Sequence, residues 1–523
     1  MTKTPRAEQV PVNIVGSSKF GRYSKINDEK TFNMFISDGW LVNYAGYKYI
    51  NQISSAGVGR GIFHSIRGNF LLAVVGATVF RIDTSFNILP VGSLATGSGE
   101  VIIDENLNQQ IAIADGTNIY IYNWSLNTLT TQALGISGIQ PDYVTYHNTY
   151  FLIGNSDSTA NGAKWYVFEY ATETTISQVT IGGEQALENK PDTALAAVRL
   201  PGKGNNIIVF GKTVAAIFTQ VGGQLLYQRH SSSNIDYGVV SVNTIATSDE
   251  MVCWLSQNEN NAPVIMVSTG GVPQRLSTDG IDYLLGQINV PEDSTAFFYR
   301  QDGHLFYQIT FFNSQDNKTL TYDFNTEGFF ILTDEKQDYY PIRQIVYFNN
   351  RIYGISLNDG NLYEISSNVT QYIYNDRTED IPRMRFCKAI RKNDSSRFIS
   401  NLFTMWIEQG EDEEYVELNL QNPCNGYLIN EPGIATIVTE DDIPLQAQGE
   451  SCLLYTPHVD VRFSKNGGQS FSNIKAFPLN TVGKFRNQFR VRELGQANEI
   501  IIQLNFWTRS RTVAGNGVIE VRQ

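Results

Sequence analysis

The side chains best suited to chemistry are few in this chain and poorly placed for it. Its 523 residues include only five histidines and four cysteines. His64, His147, His230, His304 and His458 lie far apart. None belongs to an HExxH pair, and no cysteine stands at metal-ligand spacing from them. His64 and His304 fall in or beside apolar runs that read as strands, which marks them as structural. GxSxG, P-loop and strand-to-helix GxGxxG signatures are missing. Carboxylate pairs such as Asp441-Asp442 are too common in an acidic chain to signal glycoside hydrolysis. Cys253, Cys387, Cys424 and Cys452 form no CxxC pair. They read as free, mostly buried thiols, with a disulfide among the last three left open. The residue types therefore predict no catalytic group, no metal and no cofactor.

One local motif is sharper. Ser464-Lys465-Asn466-Gly467-Gly468-Gln469-Ser470-Phe471 resembles the Asp-box hairpin, S-x-D-x-G-x-T/S-aromatic, with Asn466 in the Asp position. That hairpin recurs in sialidases and other propellers, so a carbohydrate-binding or sialidase-like propeller is the alternative reading of the chain. The residue chemistry favours a structural turn. Asn and Gly tolerate left-handed backbone, serine hydroxyls tie a loop to itself, and an aromatic packs beneath. Ser464, Asn466, Gly468, Ser470 and Phe471 are predicted to hold such a turn. The polar, aromatic stretch Ser231–Tyr237 reads as a plain surface turn.

The elements that must position these residues are strands. The chain has 27 Tyr, 29 Phe and 43 Gly, a composition of strand and turn. From Arg60 to about Tyr374 a hairpin signal keeps returning. Its first instance runs Arg60 to Ile66, Gly68-Asn69, Phe70 to Val75, Gly76, then Val79 to Ile82. The repeat is roughly 40 to 57 residues, the length of a four-stranded propeller blade. A blade cannot bury both faces of its sheet alone, so blades stack about an axis. Seven units are predicted over 51–374, and merging or splitting one gives six or eight. Residues 1–50 are expected to close the propeller or dock on the C-terminal domain. From 375 to 523 charged residues become dense and strands such as Phe403–Ile407, Tyr415–Leu418, Val459–Phe463 and Ile500–Phe506 predict a β-sandwich. The fold class is all-β. Glu184–Lys190 is the best helical candidate.

Charge narrows the partners. The formal net charge is −13, a poor balance for gripping phosphates. No apolar run is long enough to span a bilayer, and the first residues lack the apolar core of a signal peptide. From Glu408 to Asp460 there are twelve carboxylates and no Lys or Arg; from Arg462 onward ten Lys and Arg outnumber three glutamates. Solvated faces or a DNA contact would account for this. So would a head-to-tail contact in which Glu411, Asp412, Glu413 and Glu414 of one copy meet Arg486, Arg490 and Arg492 of the next, an arrangement that closes into rings.

Read end to end, the chain resembles the packaged DNA stabilization proteins of short-tailed bacteriophages, the tail-hub or nozzle component of P22-like tails. Val10-Pro11-Val12-Asn13 is similar to the family's opening segment, and Ala45-Gly46 stands where it tends to have Pro-Gly. Arg60-Gly61 with Val79-Phe80-Arg81 resembles its first repeat. Ile208-Val209-Phe210-Gly211 with Phe218, and Ala262-Pro263-Val264 before Gly270-Gly271, resemble its middle blades. Phe463–Gly467 and Val518-Ile519-Glu520-Val521-Arg522 are similar to its last hairpin and terminal strand. The resemblance implies a virion tail protein, assembled in the host cytoplasm, with no catalytic residues. It implies a ring of copies, a hexamer, below the portal and its adaptor, holding DNA and attaching a tail needle and spike or fibre proteins. A WD40-like cellular scaffold lacks support, because no Gly-His or Trp-Asp dipeptide recurs at blade positions.

Overall fold

The computed structural model describes residues 8–21, 29–156, 162–187, 190–223, 225–260, 263–374, 377–392, 396–409, 458–479 and 486–522. Seven antiparallel four-stranded units follow one another along the chain. Blade 1 spans 59–93, blade 2 102–132, blade 3 144–178, blade 4 196–235, blade 5 246–275 and blade 6 294–332. Blade 7 takes three strands from 342–366 and its fourth from the N-terminal side, Gly46–Gln52, which runs antiparallel to Asn361–Ser366. The ring is thereby closed by strands from both ends of the repeat. Hairpin turns at Asp302-Gly303 and Asn349-Asn350 have both central residues at positive φ, the geometry that matches strand twist.

Packing explains why the blades are so apolar. Each inter-blade seam holds its own hydrophobic cluster. Phe70, Leu72 and Val74 of blade 1 meet Ile111, Ile113 and Tyr120 of blade 2. Around the ring, blades 2 and 3, 3 and 4, 4 and 5, 5 and 6, 6 and 7, and 7 and 1 are joined the same way. Middle strands such as Phe70–Val75 and Gln110–Ala114 are buried on both faces. Each fully buried Val, Leu, Ile or Phe contributes about 1.5–3 kcal/mol, so these seams dominate the stability. The first strands of neighbouring blades approach closely at the axis. A Cβ at Gly61 would lie 2.7 Å from a Val101 methyl and 2.9 Å from its carbonyl oxygen.

The C-terminal region forms two sheets over a core that includes Phe403, Met405, Val459, Val461, Ile502 and Leu504. One sheet contains Phe398–Gln409, Arg486–Ala497 and Thr512–Arg522, joined by the N-terminal strands Glu8–Val12 and Met34–Ser37 with Trp40–Asn43. The other contains Arg383–Phe386, Glu499–Trp507, His458–Ser464 and Lys475–Pro478. The short strand Lys30–Phe32 lies parallel to the last strand of blade 6 and antiparallel to Arg383–Phe386. Ten strands therefore form one sheet that runs from the propeller into the sandwich.

Two sequence expectations are corrected. The segment expected as a helix at Glu184–Lys190 begins as a strand: Glu184–Ala186 pairs with Lys164–Tyr166, with Leu187 buried after it, and residues 188 and 189 lie outside the described residues. A helix of two turns is marginal by itself, whereas the open edge of blade 3 offers ready backbone partners. Ser231–Tyr237 is not a surface turn; the outer strand of blade 4 runs Tyr227–Ile235 and buries Ile235. Among the described residues one α-helix is present, Asp279–Leu285, between blades 5 and 6.

Candidate functional site

The N-terminal segment is a strap that sews the two halves together, and its polar residues make the stitches. Arg385, fully buried, is ion-paired to Glu29 and donates to the carbonyls of Ile14 (2.8 Å) and Ser17 (3.2 Å) and to the Thr31 hydroxyl (3.1 Å). A buried guanidinium needs such a full set of acceptors, because an unpaired one costs several kcal/mol. Asn33 Nδ2 donates to the Thr333 hydroxyl of blade 6 and to the Pro382 carbonyl, both at 2.8 Å. His304, at the first hairpin of blade 6, contacts Asp323 through Nδ1 at 2.9 Å and the Ser37 hydroxyl through Nε2 at 3.1 Å. Thr326 and the Asn325 amide also donate to Asp323. The His304 ring is stacked on Phe306 and edge-on to Phe35. This buried relay clamps the strap to the propeller.

A second polar cluster ties inner strands of the propeller together. Glu100, at the approach to blade 2, accepts from Arg343 (3.1 Å) and Gln344 (2.6 Å) on the inner strand of blade 7. Burial pushes its carboxyl up to about 7, against the pull of Arg343. Gln344 also accepts from the Ile62 amide of blade 1 at 3.1 Å. On the other side Asp104 accepts from the Tyr146 amide (2.7 Å) and pairs with Arg199 of blade 4 (3.5 Å); burial raises this carboxyl too. Arg60 is fully buried and donates to Gly76, Gly99 and Thr96. A cavity of about 620 Å³ opens beside this cluster, lined in part by His147, Asn148, Arg199 and Asp249. His147 is held by the Tyr227 hydroxyl (2.8 Å) and the Gly204 carbonyl (3.0 Å), and burial depresses its pKa.

These strands and stitches belong to a chain that matches a known family model over residues 26–370, described as bacteriophage P22 Gp10, β-propeller. The chain belongs to that family. It is a structural bacteriophage protein and a virion component. No curated protein matches it. Among solved structures it is similar to a streptogramin B lyase (11% identity, TM-score 0.41, 63% of this chain and 99% of that one). It is also similar to virginiamycin B lyase from Staphylococcus aureus (12%, 0.41, 62% and 99%) and to the Neurospora crassa Pan2 WD40 domain (9%, 0.37, 61% and 91%).

In this member of the P22 Gp10 family the residues singled out from sequence are placed as follows. Ser464 donates to Asn466 Oδ1 (2.8 Å), which also accepts from the Ser470 amide (3.0 Å), while Asn466 Nδ2 donates to the Ser470 hydroxyl (2.8 Å). Gly467 and Gly468 have φ of 68° and 81°, and the Gly468 amide donates to Ser464. Phe471 is half-buried, edge-on to Phe386. The side chains of Ser464, Asn466 and Ser470 are thus bonded within the loop. Arg490 and Arg492 are exposed on the strand Arg486–Ala497, whose first residue is Arg486. Glu411, Asp412, Glu413, Glu414, Cys424, Cys452 and the strand Tyr415–Leu418 lie outside the described residues. Cys253 and Cys387 are buried free thiols, and burial pushes the Cys387 thiol up to about 11. His230 is exposed, His458 stacks on Trp507, and His64 and His304 are separately packed. Among the described residues no three metal-ligating side chains converge.

Sequence reasoning missed the stitches: Glu29, Asn33, Arg385 and Arg383, whose buried guanidinium donates to the Thr508 carbonyl (3.3 Å) and the Thr370 carbonyl. The only sequence signal is a pair of arginines, Arg383 and Arg385, alternating in a strand on the buried side, where a cation demands partners from elsewhere.

Proposed function

We propose that this protein is the hub or nozzle of a short phage tail. Copies form a ring that extends the portal–adaptor channel, retains packaged DNA and attaches a needle and receptor-binding fibres or spikes. The observation that carries this reading is the family match across the propeller. Two physical features support it. The ten-stranded sheet runs from propeller into sandwich, which suits a part that bears load. The net charge of −13 keeps passing DNA from sticking, since like charges repel. In the ring, the exposed row of Arg490 and Arg492 faces the acidic stretch Glu411–Glu414 of the next copy.

Mixing the purified chain with a portal–adaptor complex and weighing the products by native mass spectrometry tests the reading. A ring of copies bound to the complex is expected. A chain that stays unbound and monomeric at tens of micromolar would overturn it.

A further inference from the structure

The chain has six tryptophans, and four are used internally. Trp124, Trp254 and Trp507 donate to Glu105, the Gly238 carbonyl and Asp460, and Trp165 is buried against Phe218 and Tyr227. The other two, Trp40 and Trp406, are 40% and 49% exposed. Both line a single groove of about 350 Å³ on the outer face of the sandwich, with Glu408, Gly515 and Asn516. Among the described residues neither indole packs on another ring or donates a hydrogen bond.

The groove is built on rigid strands. Trp40 and Trp406 sit on the two strands that flank Thr512–Arg522, whose Gly515 forms the floor. The backbones of these two flanking strands stand two strand spacings apart, roughly 10 Å. A Cβ at Gly515 would lie 2.7 Å from the Trp40 ring, so glycine is what lets that indole lie over the strand. Asn516 Oδ1 accepts from the Ile14 and Val15 amides at 2.9 and 3.0 Å, which fixes the amide and leaves Nδ2 as an oriented donor. Glu408 lies at the rim.

We infer that this groove binds a neutral hexopyranose chain. A pyranose has two C–H faces that stack on the electron-rich face of indole, and a belt of hydroxyls that needs donors and acceptors at the edge. Trp40 and Trp406 supply the faces; Asn516 supplies the edge. Among the described lining residues the one charged group is a carboxylate, Glu408, which disfavours anionic sugars. This inference does not depend on the ring or on the tail assignment.

The test is titration of the full chain with maltohexaose and cellohexaose, followed by tryptophan emission, beside a printed array of neutral oligosaccharides. A saturable emission change is expected. Trp406→Ala should weaken binding by about tenfold or more, as for a buried aromatic anchor, at an unchanged thermal midpoint, and Trp406→Tyr should retain most of it. If the Ala variants fail to fold, protection of Trp40 and Trp406 from N-bromosuccinimide by saturating sugar decides. No neutral glycan bound at millimolar concentration, or binding indifferent to both tryptophans, overturns the inference. A variant that alters only the oligomeric mass makes the groove a subunit contact and overturns it equally.

Discussion

Asn33 and Thr333, 300 positions apart in the chain, exchange two hydrogen bonds of 2.8 Å. The Asn33 amide nitrogen donates to the Thr333 hydroxyl, and the Thr333 backbone amide donates to Asn33 Oδ1. Asn33 has φ of 54°, a conformation that Asn tolerates better than most residues, and its own amide donates to the Ile331 carbonyl at 2.9 Å. At this point the strap leaves blade 6 and turns into the sandwich. Asn33→Ala loses three side-chain hydrogen bonds and the tolerance of that backbone. The expected destabilisation is about 3 kcal/mol in urea unfolding. Asn33→Gly loses the same side-chain bonds but tolerates the backbone, so it should lose less than Asn33→Ala; equal losses would show that the backbone conformation contributes nothing, and a negligible loss in Asn33→Gly would show that the side-chain bonds contribute nothing.

Closure of the ring depends on Gly46. Its amide donates to the Val369 carbonyl at 2.6 Å, and a Cβ there would lie 2.3 Å from the Gln371 carbonyl oxygen and 2.6 Å from its nitrogen. These two and the Val369 carbonyl oxygen, 2.8 Å away, are backbone atoms, which cannot rotate aside. Gly46→Val should therefore detach the strand Gly46–Gln52 from blade 7, at a loss of more than about 4 kcal/mol. Limited proteolysis should then cut near residues 46–52, a site that the wild-type chain protects. Unchanged protection would refute the assignment of this strand as the clasp.

The propeller is legible in the sequence because its signals are local. Phe70–Val75 reads as a doubly buried strand from six consecutive apolar residues, and Asp302-Gly303 announces its turn by residue type alone. The stitches are not legible for the opposite reason. Arg385 contacts Ile14, Ser17, Thr31 and Glu29 across more than 350 positions, and no period or spacing records such a pairing. Glu184–Ala186 marks the same limit: its residue types favour helix, and an open sheet edge overrides them. At Asn466 local chemistry suffices, because both partners, Ser464 and Ser470, lie within four residues.

That turn yields its own prediction. Asn466→Ala removes three hydrogen bonds from an exposed loop and should cost about 1 kcal/mol, since solvent replaces part of what is lost. Asn466→Asp keeps the acceptor that serves Ser464 and the Ser470 amide and should change stability by about 0.5 kcal/mol or less. Neither variant should alter assembly, measured by native mass. A loss of assembly at full thermal stability would mean the loop is a contact and not a brace.

Glu100 makes the inner-strand cluster pH-sensitive. Its carboxyl is pushed up to about 7 in the folded chain from 4.5, chiefly by burial. The folded state thus holds a proton that the unfolded state has released between those values. The sign follows: this contribution is fully present below about pH 4.5 and is lost as pH rises through 7. Asp142 and Asp334, each raised to about 6 by burial, act in the same direction. Glu100→Gln removes the first of these titrations. The stability of the wild type relative to the Gln variant should fall by roughly 2–3 kcal/mol between pH 4.5 and 7.5. A difference flat across that range, in parallel urea unfolding, would mean that Glu100 stays ionised throughout.

Arg490 and Arg492 test the ring itself. Both are exposed on one strand, at alternate positions, so their side chains share a face of the sheet. Exposed charges of this kind add little to the stability of a single copy, so a charge reversal should leave its thermal midpoint nearly unchanged. Across a head-to-tail contact the same reversal sets two glutamates against the acidic stretch that begins at Glu411, and like charges opposed at an interface cost several kcal/mol. The double variant Arg490→Glu, Arg492→Glu is expected to remain folded and to stay monomeric where the wild type forms rings. Wild-type rings should weaken as salt rises from 0.05 to about 0.5 M, because screening shortens the reach of exposed charges. Sedimentation velocity reads both effects. Rings that persist in the double variant, indifferent to salt, would place the subunit contact on another face.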